Sequence, residues 1–448
     1  LANISVSQAP PVGYLTLIKR NPNYRSLWIG EVISLFGDWF NLIASAALIS
    51  KLTESGLAVG GLFVIRMLAP FIASPPAGIA ADRFNRKRLL IVSDISRAVV
   101  VVGFLFVRDP GDVWLLYSLT AVQMAISGFF YPARNSILPD IVSDNELGAA
   151  NTLSSATWSV MAALGAAVGG VVAGQWGIYP AFIIDATTFL LSALFISRIL
   201  YHPPPMMSLA GTSLQSAYSQ YIEGLSYLVK HKDVFIIAIQ KGAIALTVGG
   251  IMNIVQVALA EQVYVIGEGG GTSLGILFTM VGIGTGIGPI LARRFTGDRE
   301  RSLRIVLAIA FGITIMGLSI SAPLASFAIV LFGLLLRAVG VGINWVFSTQ
   351  LLLQLVPNRV LGRVFSTEFA IFTLASAAGT ALGGWLLDNT SLSISGILWF
   401  SAGITLIPGL LWSAWTISIN RSPLTDAENE TPDMAAQSIE TSTVTTKD

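Results

Sequence analysis

Charged side chains inside long apolar runs are the residues of this sequence best placed to do chemistry. Asp38 falls near the middle of the run 26–50, and Arg66 near the middle of the run 57–80. An ion is costly to hold in hydrocarbon, so such residues serve a task or a partner. If the two runs lie antiparallel, Asp38 and Arg66 can pair across them. A carboxyl group held this way can take up a proton, and loss of the pair then shifts any equilibrium the pair had set. The same residues also fit a permanent ion pair or, for Asp38, a local cap in a bent helix. Glu31, one end nearer, is the third candidate for proton coupling. Asp94 and Arg97 stand three apart, on one helical face. Lys241, Arg337 and Glu368 carry charge into the later runs, Arg337 most deeply, and Asp185 does so in the sixth.

Other chemistries are excluded by composition. Cys is absent, and the two histidines, His202 and His231, share one polar connection. Disulfides, thiolate ligands and a His-rich metal centre are therefore not expected. Hydrolysis would need a Ser or Asp dyad, or a metal set, facing one cavity, so the chain is read as no enzyme and as needing no cofactor. Gly269-Gly270-Gly271-Thr272-Ser273 lacks the lysine of a phosphate loop. A net charge of +1 gives no support for nucleic-acid binding.

The elements that must position these charges are membrane helices. Of 448 residues, 54% are hydrophobic and 11% charged. A soluble surface could hardly be covered with so few charges, so the apolar excess faces lipid. Runs of this length favour helices over a barrel. Twelve spans are expected: 26–50, 57–80, 89–107, 112–131, 150–174, 178–199, 234–260, 272–292, 303–321, 325–350, 365–387 and 394–417. The weakest gap is 321–325, with Ser321, Ala322 and Pro323 as its turn signal.

Lys and Arg fix the orientation. With the N-terminus inside, 20 of the 26 fall on cytoplasmic segments, while Lys51 and Arg108 fall outside. The remaining four, Arg66, Arg97, Lys241 and Arg337, lie in spans. Both termini are thus expected in the cytoplasm. Residues 1–25 hold no long apolar stretch and form a cytoplasmic N-terminal segment. Two six-helix bundles, 26–199 and 234–417, flank a linker, 200–233. In the linker Tyr218, Tyr221, Ile222, Leu225, Leu228 and Val229 recur at helical spacing, as an amphipathic surface helix should. The tail 418–448 is polar, acidic and expected to be disordered.

An internal repeat supports two halves. Leu138-Pro139-Asp140 and Leu147-Gly148 precede span five; Leu355-Val356-Pro357 and Leu361-Gly362-Arg363 precede span eleven. Gly165, Gly169 and Gly170 return, at one constant offset, as Gly379, Gly383 and Gly384. Corresponding glycines in corresponding spans are the mark of parallel repeats.

Spans two and three are joined by Gly78-Ile79-Ala80-Ala81-Asp82-Arg83-Phe84-Asn85-Arg86-Lys87-Arg88. This resembles the signature loop of the major facilitator superfamily, with Asn85 where that family usually has Gly. The resemblance implies an all-α polytopic fold of twelve helices in two halves. It also implies a cytoplasmic gate, to which Gly78, Asp82, Arg83 and Arg86 are assigned, with Asp94, Arg97 and Glu368 beside them. A second, degenerate copy runs Gly288-Pro289-Ile290-Leu291-Ala292-Arg293-Arg294-Phe295, with Arg293 in place of Asp82. Helices one, four, seven and ten line the cavity in that family. Carried over, this makes Asn41, Gln123, Asn253, Gln256, Arg337, Asn344 and Trp345 the substrate-cavity candidates, with Gln350 beside them.

Asn21-Pro22-Asn23-Tyr24-Arg25-Ser26-Leu27-Trp28, Tyr131-Pro132-Ala133-Arg134-Asn135 and Gly362-Arg363-Val364-Phe365-Ser366 are similar to the bacterial enterobactin and macrolide exporters. That implies secondary active, proton-driven export of an amphipathic compound by a monomer of the inner (plasma) membrane. The partners are the bilayer, the solute and protons. Span five lacks the Gly-Pro common in antiporters, and span four lacks their usual mid-span Arg. The same fold could instead carry a lysophospholipid or import a small metabolite; a receptor would tolerate loss of Asp38 and Arg66.

Overall fold

Twelve helices long and apolar enough to cross a membrane make up the structure, a computed structural model that describes residues 13–201, 226–296 and 299–421. They are α1 (Pro22–Thr53), α2 (Gly56–Arg83), α3 (Arg86–Gly103), α4 (Val113–Ile141), α5 (Asp144–Gln175) and α6 (Ile178–Ser197). Then follow α7 (Lys232–Val263), α8 (Gly271–Thr296), α9 (Glu300–Ser321), α10 (Phe327–Leu355), α11 (Asn358–Asn389) and α12 (Ile394–Arg421). Among the described residues the regular elements are all helical.

Each helix overlies one expected span, and most run past it; at several starts a polar cap stands outside the apolar limit. Asn21 accepts from Tyr24 N at 2.9 Å and Pro22 opens the first turn of α1. Asn85 caps α3 by accepting from Arg88 N at 3.1 Å. Ser143 and Glu146 form a reciprocal capping box on α5. The weak gap after Ser321 is a true turn, closed by Leu324 at a φ of 53°. α7 departs from a plain helix: Ala245–Gly249 and Leu259–Val263 are π-helical.

Part of the expected amphipathic linker helix, 202–225, lies outside the described residues; 226–230 are helical. The tail after 421 and the residues before 13 also lie outside them.

α1 packs on α5 and α6, α2 on α4, and α3 on α4 and α6; among the later helices α8 packs on α10, α9 on α10 and α12, and α7 on α11. The two groups meet along two seams, α5 on α8 and α2 on α11. Small residues make both seams possible. A Cβ on Gly170 would lie 2.5 Å from Gly275 Cα, and one on Gly275 would lie 2.5 Å from Ala166 O. At the other seam a Cβ on Gly384 would lie 2.9 Å from Leu57 Cα, and one on Gly60 3.4 Å from Thr380 O. Thr380 and Gly384 are the repeat counterparts of Ala166 and Gly170. The repeated residues therefore sit on repeated contacts.

The first and last of the twelve helices place their outer ends on one side, the terminal end. At the opposite, far end the groups share a core that includes Ile49 and Val59 with Ile251 and Leu259. Toward the terminal end the core parts in two. One portion, with Tyr24, Ile137 and Leu138, belongs to the first group; the other, with Leu307, Phe347 and Trp412, belongs to the second.

Candidate functional site

The packing of α1 against α6 brings a set of charges to mid-bundle. Gly37 is the contact: a Cβ there would lie 2.6 Å from Asp185 Oδ1 and would displace it. The next residue, Asp38, half-buried on α1, lies 3.9 Å from Arg97 Nη1 on α3. Arg97 also donates to Asp94 Oδ1 one turn back, and Asp94 is fully buried. Its guanidinium carbon lies 4.2 Å from the Phe189 ring centre and 4.7 Å from that of Phe130. Two aromatic faces, a carboxylate partner and close burial hold this cation in place.

Arg66 of α2 reaches the same cluster. It donates to Asn41 Oδ1 at 3.3 Å and lies within electrostatic range of Asp38 and Asp185. The expectation of a direct Asp38–Arg66 pair is corrected here. Asn41 follows Asp38 by three residues, so Arg66 meets α1 one turn further along, and Arg97 takes the nearer place. Asp94 and Arg97 also differ from expectation. They lie in the middle of α3 beside Asp38, not at its terminal end with a gate. The cluster thus sets Asp38, Asp94 and Asp185 against Arg66 and Arg97. Asp38 Oδ1 and both amide atoms of Gln123 make no hydrogen bond among the described residues. Three carboxylates facing two guanidiniums in a low-dielectric interior form a set whose geometry depends on its total charge.

A second set of polar contacts ties the terminal ends of the first group together. Glu31 accepts from Arg134 Nη2 at 3.0 Å, and Ser154 of α5 donates to the same carboxylate at 3.4 Å. Glu31 is therefore already neutralised by a partner on α4. Arg86 pairs with Asp140 at 2.5 Å, and Tyr201 donates to that carboxylate at 3.0 Å. Glu146 accepts from Ser143 N at 3.0 Å and from Asn21 Nδ2 at 3.2 Å. Partial burial acts to raise its pKa, but these hydrogen bonds outweigh it and hold the carboxyl below the usual range. The side chains of Gly78, Asp82 and Arg83 lie outside the described ones.

The second group buries fewer charges. Lys241 of α7 pairs with Glu368 of α11 at 2.9 Å and donates to Thr349 Oγ1 at 2.7 Å. Its ammonium lies 4.7 Å from the Trp345 ring centre, and Trp345 meets Phe372 edge-on at 4.9 Å. Glu368, expected at the gate, is thus bound within its own group. Of the cavity candidates, Trp345 is 42% exposed, whereas Asn41, Gln123, Gln256, Arg337 and Asn344 are buried. Asn253 donates to Thr380 at 3.3 Å and Gln256 to Met252 O at 3.0 Å, so both serve local packing here. Arg337 has no acidic group at ion-pair distance among the described residues.

Two far-end carboxylates escape the sequence reading. Glu261, beyond the expected end of span seven, accepts from Ser50 Oγ of the first group. The second π segment of α7 carries it there. Asp388, at the end of α11, bonds the start of α2. One signal is available for Asp388: its repeat counterpart in α5 is Gly174, so the repeat breaks at this position.

Comparison with known proteins accords with this architecture. The Major Facilitator Superfamily model matches residues 27–366. The uncharacterized MFS-type transporter YfiS of Bacillus subtilis is 27% identical over 87% of this chain and 94% of its own. Macrolide efflux protein A of Streptococcus pyogenes is 22% identical over 86% of this chain and 93% of its own. A solved bacterial homologue of the iron transporter ferroportin, in an inward-facing state, superposes with a TM-score of 0.67 at 14% identity. It covers 88% of this chain and 98% of the other. At that identity the likeness speaks for the fold alone.

Proposed function

The chain belongs to the Major Facilitator Superfamily, and on that premise we propose that it exports amphipathic organic molecules by alternating access, driven by protons taken up at the Asp38 cluster. The observation that carries this reading is the mid-bundle set of three aspartates and two arginines. Its members come from α1, α2, α3 and α6, so its charge governs how these helices pack. With all three carboxylates ionised the set carries one negative charge more than its cations balance. A proton is the natural complement. Protonation of Asp38 removes its attraction for Arg97, leaves that cation to Asp94, and frees α1 to shift against α3. Asp38 is the member for this task because it is partly exposed, whereas Asp94 and Asp185 are closed in.

Direction and orientation rest on charge placement. The Lys and Arg excess favours the terminal end as the cytoplasmic side of a bacterial plasma membrane. The shared far-end core then closes the outside, and the parted core opens toward the cytoplasm and the inner leaflet. Cargo enters there, between the first group and the Lys241–Trp345–Phe372 wall of the second. A half-exposed aromatic beside an already neutralised cation suits an amphipathic solute. Macrolide efflux protein A supports export as the direction. The two halves, 26–199 and 234–417, rock about the α5–α8 and α2–α11 seams, and a monomer suffices.

The test is transport in proteoliposomes under an imposed pH gradient, with a panel of amphipathic compounds. Asp38→Asn keeps the shape and removes the titration. Gradient-driven transport is expected to fall at least about tenfold, with abundance and melting temperature unchanged. Wild-type transport in the variant would remove Asp38 from coupling.

A further inference from the structure

Asp388, a carboxylate of the second group, caps a helix of the first. Its Oδ1 accepts from Gly56 N at 2.9 Å. Its Oδ2 accepts from Leu57 N at 2.8 Å and from Ser55 Oγ at 2.7 Å. Gly56 and Leu57 are the first residues of α2, whose amides have no partner within the helix and form its positive end. Ser55 meanwhile keeps its own cap, accepting from Ala58 N at 3.2 Å. Asp388 therefore adds to a helix start that was already capped locally, and does so from across the seam.

The approach depends on two glycines. A Cβ on Gly56 would lie 2.6 Å from Leu387 Cδ2 and 3.0 Å from Asp388 Oδ1. A Cβ on Gly384 would lie 2.9 Å from Gly56 O. Among the described residues the related seam carries no such cap. There Gly174 stands in the place of Asp388, and its backbone alone meets the start of α8, where a Cβ would lie 2.9 Å from Thr272 N. One of the two related seams has thus acquired a charge, set against the start of the facing helix.

We propose that Asp388 is the latch of the far end: it holds the state in which that end is shut, and it must leave the α2 start before that end opens. Three bonds from one carboxylate cross the seam, and each has an ionised acceptor, the stronger kind. Opening exchanges all of them for water at once. Closed and open states then differ by the worth of the latch, which sets their populations. Asp388 is a positioning residue and touches no cargo. Glu261, accepting from Ser50 at the same end, adds one further bond across the groups. The latch rests on the rocking motion proposed above.

The chain contains no Cys, so introduced pairs can be labelled without background. Trp114→Cys with Leu392→Cys reports the far end, and Phe84→Cys with Phe295→Cys the terminal end; all four residues are exposed. Spin-label distances are read in liposomes, with and without a pH gradient and the compound panel. Asp388→Asn should raise the population with a long far-end distance about tenfold. The terminal-end distance should shorten in step, with melting within about 2 °C of wild type. Asp388→Glu should fall between the two. A wild type that switches while D388N matches it would overturn the latch alone. So would a D388N protein that melts lower with unchanged populations, the mark of a purely structural cap. A wild type held in one distribution under every condition would remove the rocking motion, and the latch with it.

Discussion

The two groups of six helices share a repeat but bury charge differently. The first sets three aspartates against two arginines at mid-bundle, and adds Glu31 with Arg134 nearer the terminal end. The second pairs Lys241 with Glu368 under an indole ring and the buried Arg304 with the more exposed Glu300, and holds one arginine, Arg337, with no acidic group at ion-pair distance among the described residues. Buried ions packed without rearrangement are a poor source of stability. An interconnected set in one group, where the other holds separate pairs, points to a different use. On our reading the first group titrates and the second meets cargo.

That division is broken most directly by exchanging one arginine in each group. Arg97→Met leaves Asp94 and Asp38 without their shared cation, and should cost about 3–5 kcal/mol. The loss should appear as a large drop in melting temperature and in transport. Arg337→Met leaves no carboxylate behind and should stay within about 1 kcal/mol of wild type. The repeat counterpart of Arg337 is Gln123, so the change tests a place where one group carries a neutral amide. If both variants melt alike, the charges of the two groups are equivalent and the proposed division fails.

A smaller effect sharpens the second group's role. Lys241→Met alone strands Glu368 and should destabilise by about 3 kcal/mol, whereas Lys241→Met with Glu368→Met should recover most of that loss. If the pair is scaffolding for a cargo wall, the double variant should retain a pH-dependent transport step and lose affinity only several-fold. Loss of the pH dependence would move coupling into the second group.

Much of this is legible in the sequence. Span number follows from the apolar runs; the helix limits do not, because Asn21-Pro22 and Asn85 start α1 and α3 ahead of the apolar stretch. Of the three repeated glycines, Gly170 and its counterpart Gly384 lie on the two seams, while Gly165 and Gly169, like Gly379 and Gly383, pack within their own groups. The partner of Asp38 is not legible, because it depends on helix rotation. Gly37 lets α6 press against α1, Asn41 takes Arg66, and Arg97 from α3 is left nearest. None of these choices is set by periodicity along one helix. Along the chain Arg134 is only a marker of the inner face, and its bond to Glu31 appears only when α1 and α4 are packed. Asp388 escapes notice because a charge at the end of a span reads as an ordinary boundary.

The smallest contrast lies at the helix starts. Ser143 and Glu146 cap α5 reciprocally, and Asn21 joins Glu146 from the start of α1. At the corresponding places of the second group stand Pro357 and Val360, and α11 begins without a side-chain cap. Glu146→Ala should therefore lower the melting temperature by about 1–2 °C at neutral pH, while Val360→Ala should act only through lost packing. The pH dependence separates the two. The Glu146 carboxyl lies below its ordinary value when folded, so its contribution is complete above the unfolded carboxylate range. It is lost as pH falls through the lowered value. The gap between wild type and Glu146→Ala should accordingly narrow below about pH 4, whereas that of Val360→Ala should not move. A Glu146 gap that stays constant across this range would mean that the side chain contributes by contact and not by charge, and the two helix starts would then differ only in packing.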